Sequence, residues 1–367
     1  MKTAGKFVKF FLIPVNVLVV ILLWLAGFSV KIDPADLVIP AFLGLAYPFI
    51  LLLNVLFIFA WLIIDRKFAI ISTLAILIGF QSFFNFFQIN LSHKQEDSIK
   101  LMNYNVRLFD LYNWSKNKAT RNKIFDLLKK EDADIYCFQE FYQVDREGFF
   151  TTRDTMITFL RANNYREAYT HKLRGDQYFG VATFTSFPIV NSGIIHFDND
   201  INNVCLYTDL KIETDTVRVY NLHIASIRFS YADYKFVETT EVPEDKNEIQ
   251  KGITNIYQRL ADAFVKRSSQ SKKVLAHIET SPYPVIVSGD FNDTPISWCY
   301  DRFSDKLIDS FKEAGNGIGN TYIGSMPSYR IDFIFHGDEF EVSNYTTLPE
   351  SYSDHHPVTV EINLRDE

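Results

Sequence analysis

The sequence has few cysteines, three in 367 residues. Cys137, Cys205 and Cys299 are far apart, and none has the short spacing of a metal-binding pair. A disulfide framework and a cysteine-based metal site are therefore excluded. Cys137 lies in an apolar, strand-like run and is predicted to belong to the core. One pair could form a disulfide bond in an oxidising compartment, but the sequence does not select it. Internal repeats and low-complexity tracts are absent as well.

The chain after residue 90 lacks an excess of basic residues. It holds 31 Lys and Arg against 41 Asp and Glu, a formal charge of about −10. A protein that binds nucleic acids in general usually carries a basic stripe on its surface. A local patch remains at Arg121, Lys123, Lys129 and Lys130. We interpret this patch as the solvated face of a helix with charges four residues apart.

Charged residues are nearly absent from three long apolar runs in the first 90 residues. The runs cover residues 7–30, 37–64 and 68–89, and Lys9 is the charged residue they contain. Each is long enough to cross a bilayer, which takes about 20 apolar residues per helix. We therefore predict three transmembrane α-helices and a membrane anchor over residues 1–90. A cleaved signal peptide is the alternative for the first run, but its apolar region would be only about 7–15 residues long.

The basic residues of this anchor predict its orientation. Lys2, Lys6 and Lys9 lie at the N-terminus, and Arg66 and Lys67 lie between the second and third runs. Cytoplasmic loops are enriched in such residues, so the N-terminus is expected in the cytoplasm. Three crossings would then place the rest of the chain outside a bacterial-type cytoplasmic (inner) membrane. Since no ionisable residue marks a transport path, the helices are expected to serve only as an anchor.

Residues 91–367 are long enough to fold as one domain with a sizeable core. Strands are predicted at residues 99–106, 134–139, 179–185, 204–211, 216–223, 285–290, 330–335 and 357–363. Helices are predicted at residues 118–131, 153–163 and 251–279. This alternation indicates an α/β (α+β) fold with two packed sheets and helices outside. Residues 229–250 form a long connector, and connectors of this length are often functional loops or lids.

Residues 284–293 end in a carboxylate and a carboxamide two positions apart. Residues i and i+2 of a strand point to the same face, so Asp290 and Asn292 could share a pocket while Phe291 packs on the other side. Gly289 allows a close backbone approach that a Cβ would resist. An apolar strand that ends in Gly-Asp is equally typical of a capped strand end. This motif alone therefore does not assign a function.

Other strand ends also carry polar side chains. They are Asn105, Glu140, His223, Asp332 and the adjacent pair Asp354 and His355. Any one of them could be a cap or a satisfied buried polar group. Their joint occurrence at the ends of separate strands favours a common site.

The ordered series of motifs resembles the endonuclease/exonuclease/phosphatase superfamily, the magnesium-dependent phosphodiesterases related to deoxyribonuclease I. The motifs are Tyr104-Asn105-Val106-Arg107, Phe138-Gln139-Glu140, Asn221-Leu222-His223, Gly289-Asp290-Phe291-Asn292-Asp293, Arg330-Ile331-Asp332-Phe333-Ile334-Phe335 and Ser353-Asp354-His355-His356-Pro357-Val358. Together they cover about residues 98–364. The resemblance implies a four-layer sandwich, in which two mixed β-sheets pack face to face with helices outside, and a phosphoester hydrolase activity.

The resemblance also implies a metal site. Glu140 would be the principal ligand of Mg²⁺, or of Mn²⁺ in its place. Asn105 would lie nearby, and Asp354 would contribute directly or through water. Oxygen ligands and retained waters are what this small, hard cation prefers. The number of metal ions, one or two, is left open.

The remaining motif residues would carry the chemistry. Asp290 would orient and deprotonate the attacking water, and Asn292 would steady the water or the phosphate. His223 and His355 would donate hydrogen bonds to the non-bridging oxygens. Asp332 would hold His355 in one tautomer and raise its basicity. Water would attack in line, without a covalent intermediate.

The sequence leaves the substrate open. An acidic domain tethered to a membrane favours a lipid head group or another phosphoester, and the aromatic connector around Phe229, Tyr231 and Tyr234 could reach lipid. The alternative is a Mg²⁺-dependent nuclease that acts on DNA or RNA outside the cytoplasm. A catalytically silent phosphate-binding module would lack a motif residue, and none is missing. A membrane scaffold that recruits partners is the last alternative, although nothing in the sequence indicates a protein partner.

Overall fold

A helical bundle precedes a domain of two packed β-sheets. The computed structural model describes residues 2–90, 98–146, 150–198, 200–238 and 246–365. The helices in these ranges are α1 (Lys2–Phe28), α2 (Ile39–Ile64), α3 (Ala69–Ile78), α4 (Phe80–Phe83), α5 (Thr120–Glu131), α6 (Thr152–Phe159), α7 (Tyr231–Glu238), α8 (Lys246–Ile278), α9 (Trp298–Ser304) and α10 (Ser310–Ala314). Short 3₁₀ helices cover Ser29–Lys31, Arg66–Phe68 and Arg107–Asp110.

The strands form two sheets of six strands each. The strands are β1 (Ile99–Asn105), β2 (Ile135–Val144), β3 (Asn164–Leu173), β4 (Gln177–Thr185), β5 (Ile189–His196), β6 (Val204–Ile212), β7 (Asp215–His223), β8 (Val285–Asp290), β9 (Ile308–Asp309), β10 (Asp332–His336), β11 (Phe340–Thr347) and β12 (Val358–Leu364). The strand order is β11-β12-β1-β2-β4-β3 in one sheet and β5-β6-β7-β8-β10-β9 in the other. Both sheets are mixed, because β1 pairs with β2 and β7 with β8 in parallel while the other pairs are antiparallel.

The alternation of side chains along the central strands builds a sandwich of four layers. In β1, Leu101 points into the core between the sheets, whereas Met102 and Tyr104 point outward to α5 and α6. In β8, Ile286 faces the other sheet, and Val287 packs outward towards α8 and α9. The predicted sandwich of two mixed sheets with helices outside is confirmed.

All eight strands predicted from the sequence are present, and four strands were missed. The missed strands are β3, β5, β9 and β11. These are the edge strands of the two sheets. An edge strand is solvated along one side and carries many polar residues, so its apolar alternation is weak. Sequence patterns therefore detected the interior of each sheet better than its borders.

The predicted helices differ from the observed ones mainly at their ends. Helix α6 ends at Phe159, and α8 begins at Lys246. The long connector at residues 229–250 is not a loop throughout, because it holds α7 and the start of α8. The rest of it, residues 239–245, lies outside the described residues, so its predicted role as a lid stays a prediction.

The third predicted transmembrane helix is wrong. Instead of one helix over residues 68–89, the chain forms α3 of 10 residues and α4 of 4 residues, which separate at Gly79. Ten helical residues span only about 15 Å, half the thickness of a bilayer core. After α4 the chain reaches the domain, where Asn85 Nδ2 donates to the carbonyl of Pro295 at 3.1 Å.

Two helices in the described part of the chain are long and apolar enough to cross a membrane. They cover Lys9–Lys31 and Ile39–Ile64, and only 28% and 22% of their most apolar windows are buried. Such low burial differs from the core helix of a water-soluble protein. Asn16 links α1 to the other helices, since its Nδ2 donates to Ser72 Oγ at 2.6 Å and its Oδ1 accepts from Trp61 Nε1 at 2.8 Å.

The two ends of the bundle have different surroundings. At one end, Lys9 Nζ lies 2.6 Å from Asp65 Oδ2, which joins the start of α1 to the end of α2. At the opposite end, the residues between α1 and α2 pack against the domain, and Lys31 Nζ lies 2.9 Å from Asp301 Oδ1. The domain therefore sits at the end of the bundle that is distant from the N-terminus.

The first turns of α2 lie directly on the domain. A Cβ added to Gly44 would lie 2.4 Å from the carbonyl oxygen of Ile296, so the lack of a side chain permits this approach. Tyr329 Oη donates to the carbonyl of Leu45 at 3.0 Å. These contacts make α2 part of the surface around the strand ends.

Candidate active site

The predicted site residues meet at one end of the sandwich. Strands β1, β7 and β8 end there with Asn105, His223 and Asp290, and β10 begins there with Asp332. His355 reaches the same place from the segment before β12, and its Nε2 lies 3.7 Å from Asp290 Oδ2. Parallel pairing of β7 with β8 and of β1 with β2 brings their carboxyl ends to the same edge.

Asp290 lies at the centre of this group and is almost fully buried. Its Oδ2 accepts a hydrogen bond from Asn105 Nδ2 at 2.9 Å, and its Oδ1 accepts one from the backbone N–H of Asn292 at 2.8 Å. His223 Nε2 lies 3.7 Å from the same Oδ2. Burial raises the pKa of Asp290, and the charge of His355 opposes this rise. A carboxylate with a raised pKa is suited to accept a proton near neutral pH.

Gly289 explains how β7 and β8 approach each other beside Asp290. A Cβ at this position would lie 2.0 Å from the carbonyl oxygen of Leu222 in β7. The role predicted for this glycine, close approach of a neighbouring backbone, is confirmed. The same approach sets His223 opposite Asp290 in the register of the two strands.

His355 and Asp332 form a buried pair. His355 Nδ1 lies 2.8 Å from Asp332 Oδ2. Burial alone would lower the pKa of His355, but the carboxylates of Asp332 and Asp290 raise it to about 10. The imidazole is therefore protonated at neutral pH, with Nδ1–H towards Asp332 and Nε2–H towards the pocket.

His223 has the opposite electrostatic character. Burial lowers its pKa, although the carboxylate of Asp290 opposes the shift. Its Nε2 has no hydrogen-bond partner among the described residues. A buried ring nitrogen of this kind has an unmet hydrogen bond to offer to a water or a phosphate oxygen.

Glu140 enters the site through an irregularity in β2. The pairing of β2 with β4 shifts between Phe138 and Phe141, and Glu140 has a φ of 48°, a left-handed conformation that few non-glycine residues adopt. Burial and the negative charge of Asp354 raise the pKa of Glu140 to about 7. Strained backbone of this kind is typical of functional sites.

The donor set of Glu140, Asn105 and Asp354 fits a hard cation. The three side chains offer carboxylate and amide oxygens. Burial and the charge of Asp354 raise the pKa of Glu140, although His355 and Asn105 oppose this rise, and a cation here would favour the ionised carboxylate. Asp354 Oδ2 lies 3.2 Å from Arg107 Nε, so one of its oxygens already has a cationic partner.

A second group of possible metal ligands consists of Asp290, Asp332 and His355, whose ligand atoms lie within 4.8 Å of one another. The bond between His355 Nδ1 and Asp332 occupies two of these atoms. The roles predicted for this group in acid–base chemistry and for Glu140 as a metal ligand stay predictions.

Beneath the site, a buried polar network connects the two sheets, and it was not predicted. Asn103 Oδ1 accepts from Gln139 Nε2 at 2.9 Å and from Ser288 Oγ at 2.8 Å. Gln139 Nε2 also donates to Asn221 Oδ1 at 2.8 Å. Asn103 Nδ2 also donates to Asp332 Oδ1 at 3.4 Å.

A signal for this network exists in the sequence. In β1, β7 and β8 a polar residue stands two positions before the site residue, and residues two apart share one face of a strand. These pairs are Asn103 and Asn105, Asn221 and His223, and Ser288 and Asp290. The repeated polar pair predicts a polar inner face at this end of the sandwich.

The site opens into a cavity of about 460 Å³. Glu140, Asp290 and His355 line one side of it. Phe42 and Phe49 of α2 line another side, where no functional residue was predicted. The sequence could not reveal this wall, because it results from the docking of the bundle on the domain.

The two packed, mixed sheets match the fold of a family of phosphoester hydrolases. The model of the endonuclease/exonuclease/phosphatase family matches residues 102–355, and the chain belongs to this family. Members of the family are metal-dependent phosphoester hydrolases. The model of a domain of unknown function (DUF8431) matches residues 8–86 of the chain. No curated protein matches the chain.

Solved structures share the fold of the domain. An endonuclease/exonuclease/phosphatase family protein from Leptotrichia buccalis is 17% identical, with a TM-score of 0.52 and coverage of 73% of this chain and 100% of that chain. A mannosyl-6-phosphatase from Bacteroides thetaiotaomicron is 18% identical, with a TM-score of 0.53 and coverage of 73% and 100%. A family protein from Beutenbergia cavernae is 14% identical, with a TM-score of 0.52 and coverage of 73% and 72%. The TM-scores show a common fold, and identities this low leave the substrate open.

Proposed function

We propose that the protein is a membrane-anchored, metal-dependent phosphoesterase that hydrolyses a phosphodiester or a phosphomonoester. This proposal rests on the surroundings of Asp290. Its buried carboxylate lies 3.7 Å from two imidazoles, one with a raised and one with a lowered pKa. Such a combination of one acceptor and two different donors suits proton transfer from water and stabilisation of a charged phosphate.

In the proposed reaction, Asp290 orients a water molecule and accepts its proton as the water attacks phosphorus in line with the leaving group. Asn292 steadies the water or the phosphate. The protonated Nε2 of His355 and the Nε2 of His223 donate to the non-bridging oxygens as their charge grows. Preorganised donors of this type contribute roughly 10²–10³ each to turnover. Asp332 acts by holding His355 in the tautomer that points Nε2–H into the cavity.

A Mg²⁺ ion, or Mn²⁺ in its place, would be held by Glu140, Asn105 and Asp354. When bound, it supplies positive charge to the phosphate and the leaving oxygen. The fit of the ion rests on the oxygen donors and on the position of the Glu140 carboxyl beside the negative charge of Asp354.

We also propose that α1 and α2 cross the cytoplasmic membrane with the N-terminus inside and the catalytic domain outside. The basic residues Lys67 and Arg66 lie at the end of the bundle that also holds Lys9, and the positive-inside rule favours the cytoplasm for that end. The domain docks on the other end through contacts such as that of Lys31 with Asp301. Because two crossings alone would return the chain to the cytoplasmic side, the chain crosses a third time between Asp65, beside Lys9, and Asn85, which contacts the domain. The interrupted helices α3 and α4 provide this crossing.

The direct test uses the full-length protein in lipid nanodiscs. Bis(p-nitrophenyl) phosphate, p-nitrophenyl phosphate and plasmid DNA are offered with Mg²⁺, with Mn²⁺ or with EDTA. We expect metal-dependent release of p-nitrophenol that EDTA abolishes and that added Mg²⁺ restores. Turnover that EDTA leaves unchanged would contradict the proposal. Cleavage of plasmid DNA far above that of the small esters would favour the nuclease alternative.

A further inference from the structure

The cavity at the active site has a polar side and an apolar side. Asp290, His355 and Glu140 lie on the polar side. The apolar side is formed by Phe42, Leu45, Ala46 and Phe49 of α2, by Leu260 and Phe264 of α8, and by Phe229. Polar side chains such as Arg228, Arg267 and Thr294 also line the cavity, but an apolar group of a ligand would be buried against the aromatic and aliphatic residues of α2 and α8. The apolar side therefore favours a substrate with an apolar portion next to its phosphate.

Aromatic contacts fix α2 against α8 at this cavity. The ring of Phe42 stacks on Tyr257, with centroids 4.9 Å apart and an interplanar angle of 8°. The same ring meets the edge of Phe264 at 5.3 Å. Pairs of this geometry are stabilising beyond their buried area. The apolar wall is thus a built surface, and α2 is an integral part of the pocket.

The apolar wall continues along the outer face of α2. Phe49 lines the cavity and is still 51% exposed. Leu52, Leu53 and Leu56 follow it at spacings that place residues on the same face of a helix, and all three are exposed. From Phe49 to the end of the helix at Ile64 the stripe extends for roughly 22 Å. This distance matches the length of a long acyl chain, and the helix is one of the two proposed to cross the membrane.

Resting on the phosphoesterase function proposed above, we propose that the substrate is a lipid phosphoester that enters from the bilayer along α2. Its phosphate lies in the cavity beside Asp290 and His355, and its apolar chain leaves the cavity past Phe42 and Phe49. Water adds to phosphorus and one P–O ester bond breaks. Asp290 accepts the proton that the water loses. The leaving alkoxide takes a proton from solvent water, and the hydroxide that remains takes the proton from Asp290, so the products are an alcohol and a phosphate with one ester bond fewer.

The test measures how turnover depends on chain length with one leaving group. Full-length protein in nanodiscs receives methyl, butyl, octyl and dodecyl p-nitrophenyl phosphates and thymidine 5′-p-nitrophenyl phosphate. Each buried CH₂ contributes about fourfold in affinity, so we expect kcat/KM to rise at least tenfold from methyl to octyl. The thymidine ester represents a nucleic-acid substrate with the same scissile bond.

Variants separate binding in the cavity from simple partition of long esters into the disc. Phe42→Ala/Phe49→Ala removes the aromatic wall, and Phe28→Ala removes an exposed ring of α1 that does not line the cavity. We expect the rise with chain length to shrink at least fivefold in the double variant and to persist in Phe28→Ala. Circular dichroism and thermal unfolding check that the double variant is folded, and Phe49→Ala alone is used if it is not.

The outcomes distinguish the two proposals. Hydrolysis of all esters with no dependence on chain length, or an equal dependence in all variants, overturns the lipid assignment and leaves the phosphoesterase function standing. A preference for the thymidine ester over the octyl ester also overturns it and favours nucleic acid. Failure to hydrolyse any ester with Mg²⁺ or Mn²⁺ overturns the phosphoesterase function itself.

Discussion

His355 Nδ1 lies 2.8 Å from Asp332 Oδ2, and this contact fixes which ring nitrogen faces the pocket. The buried carboxylates of Asp332 and Asp290 hold the pKa of His355 at about 10, against the lowering effect of burial. The proton on Nε2 is therefore retained below pH 10 and lost above it. A neutral carboxamide in place of Asp332 would remove one of the two charges that keep it.

Replacement of Asp332 should change the pH dependence of turnover. In Asp332→Asn, the pKa of His355 should fall by at least one unit, because a nearby negative charge is lost. The alkaline limb of kcat should then move to lower pH, and kcat at pH 9 should fall about twofold for a shift of one unit and about tenfold for a shift of two. The measurement is kcat between pH 6 and 10. Asp338→Asn, at an exposed turn, is the matched control, and an unmoved alkaline limb in Asp332→Asn would refute the role of this pair.

The affinity for Mg²⁺ should depend on the protonation of Glu140. Burial and Asp354 raise the pKa of this carboxyl to about 7, so it is neutral below pH 7 and ionised above it. Metal ligands must be deprotonated, and we expect the Mg²⁺ concentration for half-maximal activity to rise about tenfold for each pH unit below 7.

Glu140→Gln provides the control for this pH effect. It should raise the required Mg²⁺ concentration at least 100-fold at pH 8 and abolish its dependence on pH between 5 and 7. Glu341→Gln, on the exposed edge strand β11, should change neither property. A normal Mg²⁺ requirement in Glu140→Gln would remove this residue from the metal site.

Gly289→Ala should disturb both stability and turnover. The new Cβ would lie 2.0 Å from the carbonyl oxygen of Leu222, and the backbone of β7 must move to admit it. We expect a loss of about 1–3 kcal/mol in the free energy of unfolding and a fall in kcat, because His223 shifts away from Asp290. Urea unfolding and kcat are measured beside Gly79→Ala, where the nearest atom is 3.5 Å away. Equal behaviour of the two variants would contradict the close approach of β7 and β8.

The proposed orientation in the membrane can be tested with single cysteines. The native Cys137, Cys205 and Cys299 are buried and free, so an impermeant maleimide should label only an introduced cysteine. In bacterial spheroplasts, Thr214→Cys on the domain should react at once, whereas Lys67→Cys should react only after the membrane is permeabilised. The reverse pattern, or reaction of both before permeabilisation, would show that the predicted orientation is wrong.

The sequence was sufficient for the interior of the fold and for the candidate residues, because both leave local patterns. The strand that ends at Asp290 begins with an apolar run, and it shares with the strands that end at Asn105 and His223 a pair of polar side chains two positions apart at its end. Parallel pairing then brings these ends together. The geometry supports their grouping, while the role of each side chain stays a prediction.

Other features could not be predicted, since they depend on contacts between distant parts of the chain. The left-handed conformation of Glu140 results from a shift in the pairing of β2 with β4. The helix over residues 69–83 is interrupted at Gly79, a few residues before Asn85 contacts the domain. The wall made by Phe42 exists only because α2 lies against α8. Hydropathy alone therefore counted one membrane helix too many and missed one side of the pocket.

The most direct test of the account is the turnover of Asp290→Asn, since the substitution keeps the shape of the side chain and removes its capacity to accept a proton. Full-length wild-type protein and the variant are compared in nanodiscs with bis(p-nitrophenyl) phosphate and saturating Mg²⁺, and thermal unfolding checks the fold. The account predicts a fall in kcat of at least about 10²-fold with the fold intact. Wild-type turnover in a folded Asp290→Asn protein would contradict it.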